Sequence, residues 1–176
     1  MKAPVVMTRI ESPVGPLVVA GTDEGVCMLE FEGRRADVAG VAERLGRPVV
    51  DGEGRMLPGP VGLLLAELSA YFAGTLREFT VPLVTPGTAW EQSVWARLRK
   101  IPYGETCSYG DLAAGLGKPG AARAVGLANG RNRIAIVIPC HRVINSNGGL
   151  HGYGGGIENK RWLLEHEGVG AGMLFT

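Results

Sequence analysis

The sequence predicts an α+β chain. A small N-terminal antiparallel sheet with helices is followed by a mostly helical C-terminal part containing a helix-turn-helix, winged-helix-like in outline. Three observations predict it. Short β-branched, apolar runs alternate with turn residues from Val5 to Phe31. Helical spacing with two capping patterns dominates beyond Thr88. Between them Pro82 to Gly87, with two prolines and a glycine, reads as a linker, giving domains 1–85 and 86–176. A length of 176 residues suits two small domains.

In the first part Val5–Ile10, Leu17–Ala20 and Val26–Phe31 read as a three-stranded meander, with Ser12–Gly15 and Thr22–Gly25 as its turns. Arg34 to Leu45 carries Val38, Val41 and Leu45 at helical spacing and ends at Gly46. Pro60 to Phe72 is a stronger helix, with Leu63, Leu64, Leu68, Tyr71 and Phe72 in one core-facing stripe and Gly74 after it. Nothing in this part looks catalytic.

In the second part Thr88-Ala89-Trp90-Glu91 opens a helix with Val94, Trp95 and Leu98 inward, broken at Ile101-Pro102-Tyr103-Gly104. Ser108 to Asp111 caps a short helix through Leu116, Gly117 to Gly120 turns the chain, and Ala121 to Asn129 forms the next helix. Its small residues, Ala121, Ala122, Ala124, Gly126 and Ala128, allow close approach to another backbone, whether a neighbouring helix or nucleic acid. Arg123 is its one long cation. A polar loop, Asn129 to Arg133, leads to the apolar run Ile134 to Ile138. Asn145 to Gly149 is a hairpin signal, and a last helix over Glu158 to His166 turns Trp162 and Leu163 inward. Trp90, Trp95 and Trp162 all read as core.

Hydrophobic residues make up 45% and charged residues 20%, which excludes a disordered chain. No run approaches the roughly 20 apolar residues of a membrane span, and the N-terminus has no signal-peptide pattern, so the expected location is cytoplasmic. Cys27, Cys107 and Cys140 are too few for a disulfide framework and lack metal-ligand spacing, so neither metal nor cofactor is expected. Charge is uneven. Residues 1–85 hold 8 Lys/Arg and 11 Asp/Glu (−3), residues 86–147 hold 8 and 3 (+5), and the rest hold 2 and 3 (−1). The basic middle suits a local anionic partner or a solvated face.

The chemistry-bearing stretch is Pro139-Cys140-His141-Arg142-Val143. Imidazole and guanidinium neighbours favour thiolate, the reactive form of cysteine. A buried cysteine beside a satisfied histidine would give the same two letters.

The wider pattern resembles the O6-alkylguanine-DNA alkyltransferases. The resemblance rests on Pro139 to Val143, the Ser108-Tyr109 helix start, the Ala121 to Val125 helix, Asn132, the Tyr153-Gly154-Gly155 loop, and Trp162-Leu163-Leu164 through His166-Glu167-Gly168. It implies irreversible, single-turnover transfer of an alkyl group from O6-alkylguanine to Cys140, with O4-alkylthymine as a further candidate substrate and base flipping to expose the lesion. His141 would be the base through a bound water, Glu167 would polarise that pair, and Asn132 would brace the turn that carries Cys140. Tyr109 would rotate the target phosphate and donate to the departing base; Arg123 would fill the gap in the stack, flanked by Ala122 and Ala124. Arg97, Lys100 and Arg131 would meet phosphates, while Val143, Tyr153, Gly154 and Gly155 would line the pocket. The implied partner is double-stranded DNA containing alkylated guanine, with no membrane and no obligate protein partner. Arg133 stands where the family usually has proline, which loosens the loop and adds a charge.

Two readings of other classes are distinguishable. A lesion-binding module would leave Cys140 unmodified, and a cysteine hydrolase would turn over many times.

Overall fold

The computed structural model describes residues 2–33, 36–150 and 152–170. They form two compact units that divide between Pro86 and Gly87.

The first unit is a four-stranded sheet with two helices. Strands β1 (Val5–Ile10), β2 (Leu17–Gly21) and β3 (Val26–Phe31) form the expected meander, with Thr8 opposite Val19 and Val19 opposite Leu29. The sheet order is β3-β2-β1-β4, because β4 (Val49–Asp51) adds in parallel beside β1. The sequence reading missed β4: three half-exposed residues offer no alternation to detect. The parallel pairing requires a crossover, and α1 (Val38–Leu45) supplies it, capped by Asp37 on the Gly40 amide and closed by left-handed Gly46. It starts later than Arg34; Arg34 and Arg35 lie outside the described residues. Val38, Val41 and Ala42 pack on Val5, Val18, Ala20, Cys27 and Met28.

Helix α2 (Gly59–Phe72) buries Leu64, Leu68 and Tyr71 of the expected stripe and adds Val61, while Leu63 is 41% exposed and Phe72 is half-buried. In a helix this apolar all round, spacing alone does not tell which side meets the sheet.

The second unit contains α3 (Ala89–Leu98), α4 (Tyr109–Gly115), α5 (Ala122–Gly130) and α6 (Ile157–His166), with short parallel strands β5 (Cys107–Ser108) and β6 (Val143–Ile144). The capping boxes at Thr88/Glu91 and Ser108/Asp111 are both formed. Two indoles of α3 reach α5: Trp95 Nε1 donates to Ala128 O at 2.9 Å and half-buried Trp90 Nε1 donates to Ala124 O at 3.3 Å. Trp162 is likewise half-buried, stacked on His166 at 4.8 Å. Asn145 to Gly149 does form a turn, with Gly148 donating to Asn145, but β6 before it pairs with β5 and no hairpin forms among the described residues.

The apolar run Ile134 to Ile138 is wholly buried and coiled into tight turns. Val137 donates to Ala135 O at 2.8 Å and Ile138 to Ile134 O at 3.0 Å. Between them Ile136 sits at φ 71°, a left-handed conformation that opposes a β-branched side chain. Such strain costs on the order of 1–3 kcal/mol and persists only where the surroundings dictate it.

Trp95→Phe removes the indole donor to Ala128 and the fused five-membered ring with it, leaving a small cavity. It is expected to lower the unfolding free energy of the C-terminal unit by about 1–2 kcal/mol, measured by urea denaturation.

Candidate active site

Pro139 closes the buried run and holds the chain so that Cys140 N donates to Ile138 O at 2.8 Å. A single turn of 3-10 helix, Cys140–Arg142, follows and passes directly into β6. Asn132, just beyond α5, clamps this turn. Its Nδ2 donates to Ile138 O (2.9 Å) and to Cys140 Sγ (3.2 Å), and its Oδ1 accepts from Ile134 N (2.9 Å). One buried amide thus joins both ends of the strained run to the sulfur.

Glu167 closes α6 and is buried. His141 Nε2 lies 2.8 Å from its Oε1. Arg142 grips it with a fork, Nε to Oε2 at 2.8 Å and the second terminal nitrogen to Oε1 at 2.9 Å. The remaining nitrogen of Arg142 donates to Ile101 O at 2.6 Å. Lys160, on the same face of α6, is fully buried and donates to Val143 O at 2.6 Å.

These contacts settle the charge states. Burial pushes Glu167 toward the neutral acid, but the hydrogen bonds from His141 and Arg142 and the charge of Arg142 outweigh it and hold the carboxyl well below its usual range. Burial lowers His141, and the charges of Arg142 and Lys160 lower it further against the pull of Glu167. A neutral imidazole beside a carboxylate carries its proton on Nε2, which leaves the Nδ1 lone pair as acceptor. That atom is buried and has no hydrogen-bond partner in the protein. Burial draws Lys160 down to about 8, opposed by the negative charge of Cys140. Burial and the Cys140 charge together raise Tyr109 and keep its phenol protonated.

The expected site residues fall in three groups. Asn132 is bonded to Cys140 and the adjacent His141 to Glu167, and the Cys140 charge raises Tyr109 at the start of α4. Tyr109 also lies beside α5, where a Cβ on Gly126 would stand 3.7 Å from its ring. Val143 is fully buried; the Tyr153 to Gly155 turn precedes α6 and is pinned by Asn159 on Gly155 O at 2.9 Å, with Gly154 half-buried. On α5, Arg123 and Ala124 are exposed and Ala122 is half-buried. Arg131 is engaged elsewhere, paired with Glu91 at 2.9 Å. The Arg97 guanidinium lies against Gly115 and, with Lys100, Cys107 and Asp111, lines a cavity of about 200 Å³.

Two residues of the network were missed as site residues. Arg142 was expected to favour the Cys140 thiolate, but its guanidinium is bound to Glu167 and Ile101 O instead. Lys160 received no reading from the sequence, yet Lys160, Leu163, Leu164 and Glu167 share one helical stripe. An inward Leu163 therefore carries Lys160 and Glu167 inward with it.

Comparison with known proteins gives a consistent result over both units. Residues 89–169 match the model of the 6-O-methylguanine DNA methyltransferase DNA binding domain, and residues 5–85 match that family's ribonuclease-like domain. A methylated-DNA–protein-cysteine methyltransferase of Mycobacterium tuberculosis is 48% identical over 161 residues, 90% of this chain and 89% of the relative. The crystal structure of Mycobacterium tuberculosis OGT in complex with DNA superposes with TM-score 0.78 at 46% identity, covering 92% of each chain. The O6-methylguanine-DNA methyltransferase of Pyrococcus kodakaraensis gives 0.60 at 30% identity, over 94% of this chain and 99% of that one.

Acid sensitivity follows from the charge states. Both His141 and Glu167 bind protons more weakly folded than unfolded, so each contributes stability at high pH that is lost on acidification. Unfolding free energy is expected to fall as pH drops below about 6.5, and again below about 4.5. Glu167→Gln should show a smaller second decline, with the part due to other hydrogen-bonded carboxylates such as Asp111 remaining, read by urea titrations from pH 8 to pH 3.5.

Proposed function

The chain belongs to the 6-O-methylguanine DNA methyltransferase family, and from that membership we propose that Cys140 is the acceptor in direct, irreversible repair of O6-alkylguanine in DNA. One observation carries the assignment to this sulfur: Cys140 is fixed by Asn132 at 3.2 Å and directly precedes an imidazole whose outer nitrogen is bonded to a buried carboxylate.

The other two cysteines are poor competitors. Burial raises the Cys27 thiol to about 11, and burial with the Asp111 charge raises Cys107 to about 11. At pH 7 each would hold roughly one thiolate in ten thousand.

In the proposed reaction the thiol proton of Cys140 passes, through a water, to His141 Nδ1. The thiolate attacks the alkyl carbon, a carbon–sulfur bond forms, and the bond from carbon to guanine O6 breaks. The electron pair stays on the base, which takes a proton from the Tyr109 phenol, and the His141 imidazolium returns the thiol's proton through water to the phenolate, so that guanine leaves neutral. Glu167 remains ionised and stabilises the imidazolium, as an orienting carboxylate does in a nucleophile–base–acid triad. Tyr109, held protonated, supplies the hydrogen bond to the departing base. The product is a thioether, so each molecule reacts once.

The alkylated oxygen is out of reach in a stacked duplex, and extruding the base costs a few kcal/mol. Arg123 is suited to offset that by filling the gap: it is exposed, on a helix of small residues, with no ion pair among the described residues. DNA is the partner this reading requires, and O4-alkylthymine is a second candidate lesion. No described helix is long and apolar enough to cross a membrane.

Incubation with a methylated-guanine duplex should add the mass of one methyl group, on a one-to-one stoichiometry, and Cys140→Ala should abolish the gain. Retention of the gain in Cys140→Ala would assign the chemistry elsewhere.

A further inference from the structure

Helix α5 is anchored on three sides. Ala128 and Ala124 accept from the two indoles of α3, Gly126 lies against the Tyr109 ring of α4, and Val125, Ala128 and Asn129 are buried. The side left to solvent holds Arg123 and, four residues on and about 40° round the helix, Leu127. Leu127 is 60% exposed and is the one exposed large apolar side chain of this unit among the described residues. The segment from Ala121 to Arg133 has no acidic residue and three arginines. A surface that is free of acids, small at Ala122, Ala124 and Gly130, and raised at one cation and one leucine complements a polyanion whose grooves expose apolar sugar and base edges.

We propose that Leu127 is a second DNA-contacting side chain of α5, packing against the deoxyribose and base edges beside the gap that Arg123 fills. This rests on the reading of α5 as the DNA face. Arg123 occupies the space of the extruded nucleotide, and Leu127 covers the neighbouring pair, so that the opened stack meets an apolar wall. The anchoring of α5 presents both side chains without a rearrangement of the helix. The contact is apolar and releases no counterion, so it adds affinity without salt dependence.

The test compares wild type, Leu127→Ala and Arg123→Ala in binding to a methylated-guanine duplex and in reaction with that duplex and with the free alkylated base. Burying most of a leucine side chain corresponds to about tenfold in affinity. Leu127→Ala is therefore expected to lower the ratio of duplex to free-base rates about tenfold, with the salt slope of binding unchanged. A ratio within about twofold of wild type, while Arg123→Ala loses duplex binding, overturns the Leu127 contact and leaves the α5 reading intact. If Arg123→Ala also binds duplex like wild type, α5 is not the DNA face and the contact falls with it.

Discussion

The buried carboxylate of Glu167 is the point on which the second unit turns. Taking a charge out of water costs several kcal/mol unless it is paired and its lone pairs are filled. Here the Arg142 fork and the His141 ring provide the partners, and Arg142 extends the network to Ile101 O. Three separated stretches, the turn after α3, the 3-10 turn and the end of α6, are thus held by one ion. The same ion orients the imidazole. With Nε2 committed to it, His141 has one nitrogen left to accept a proton. Fold and chemistry are coupled, because the group that closes α6 also selects the tautomer. Lys160 adds a second buried cation, donating from α6 to Val143 O at the end of the motif.

The strained run is the complementary constraint. Ile136 is held at φ 71° in fully buried surroundings, and Asn132 spans the run with three hydrogen bonds that reach Ile134, Ile138 and the sulfur. The amide substitutes for the regular backbone pairing that a coiled segment lacks. Arg133 follows Asn132 in place of the proline usual in the family, and one of its terminal nitrogens is buried with no hydrogen-bond partner. The clamp is complete despite that change, since none of the three bonds uses the residue after Asn132.

Much of this was legible in the sequence where local rules decide. The meander, both capping boxes and the extent of α6 follow from side-chain period and from short polar side chains closing helix ends. Cys140 and His141 announced themselves by type, and Asn132 and Glu167 entered through the family pattern. What escaped depends on tertiary context. β4 exists because β1 offers an edge, so its three residues need no pattern of their own. Leu63 and Val61 of α2 are equally apolar, and only the packing chooses Val61. Lys160 lies in a polar helix, and although Leu163 was expected inward, nothing local says that a carbonyl, Val143 O, waits there for the ammonium. The run at Ile134 to Ile138 has the composition of a strand, and it coils through a left-handed Ile136 under a clamp from Asn132 that no local pattern signals.

The cations of the second unit divide by task, and that division bears on how the chain could meet DNA. Arg142 and Lys160 are spent inside, Arg131 is tied to the acid that caps α3, and Arg97 lies over Gly115. The local excess of positive charge is therefore only partly free to meet phosphates. Long-range attraction depends on the total charge and survives such pairing, whereas a specific contact needs an unengaged side chain. Arg123 satisfies the second condition on a rigid helix whose Gly126 abuts Tyr109, and Tyr109 in turn feels the charge of Cys140. The helix proposed to meet the duplex therefore packs against the Tyr109 ring within the same unit that carries Cys140.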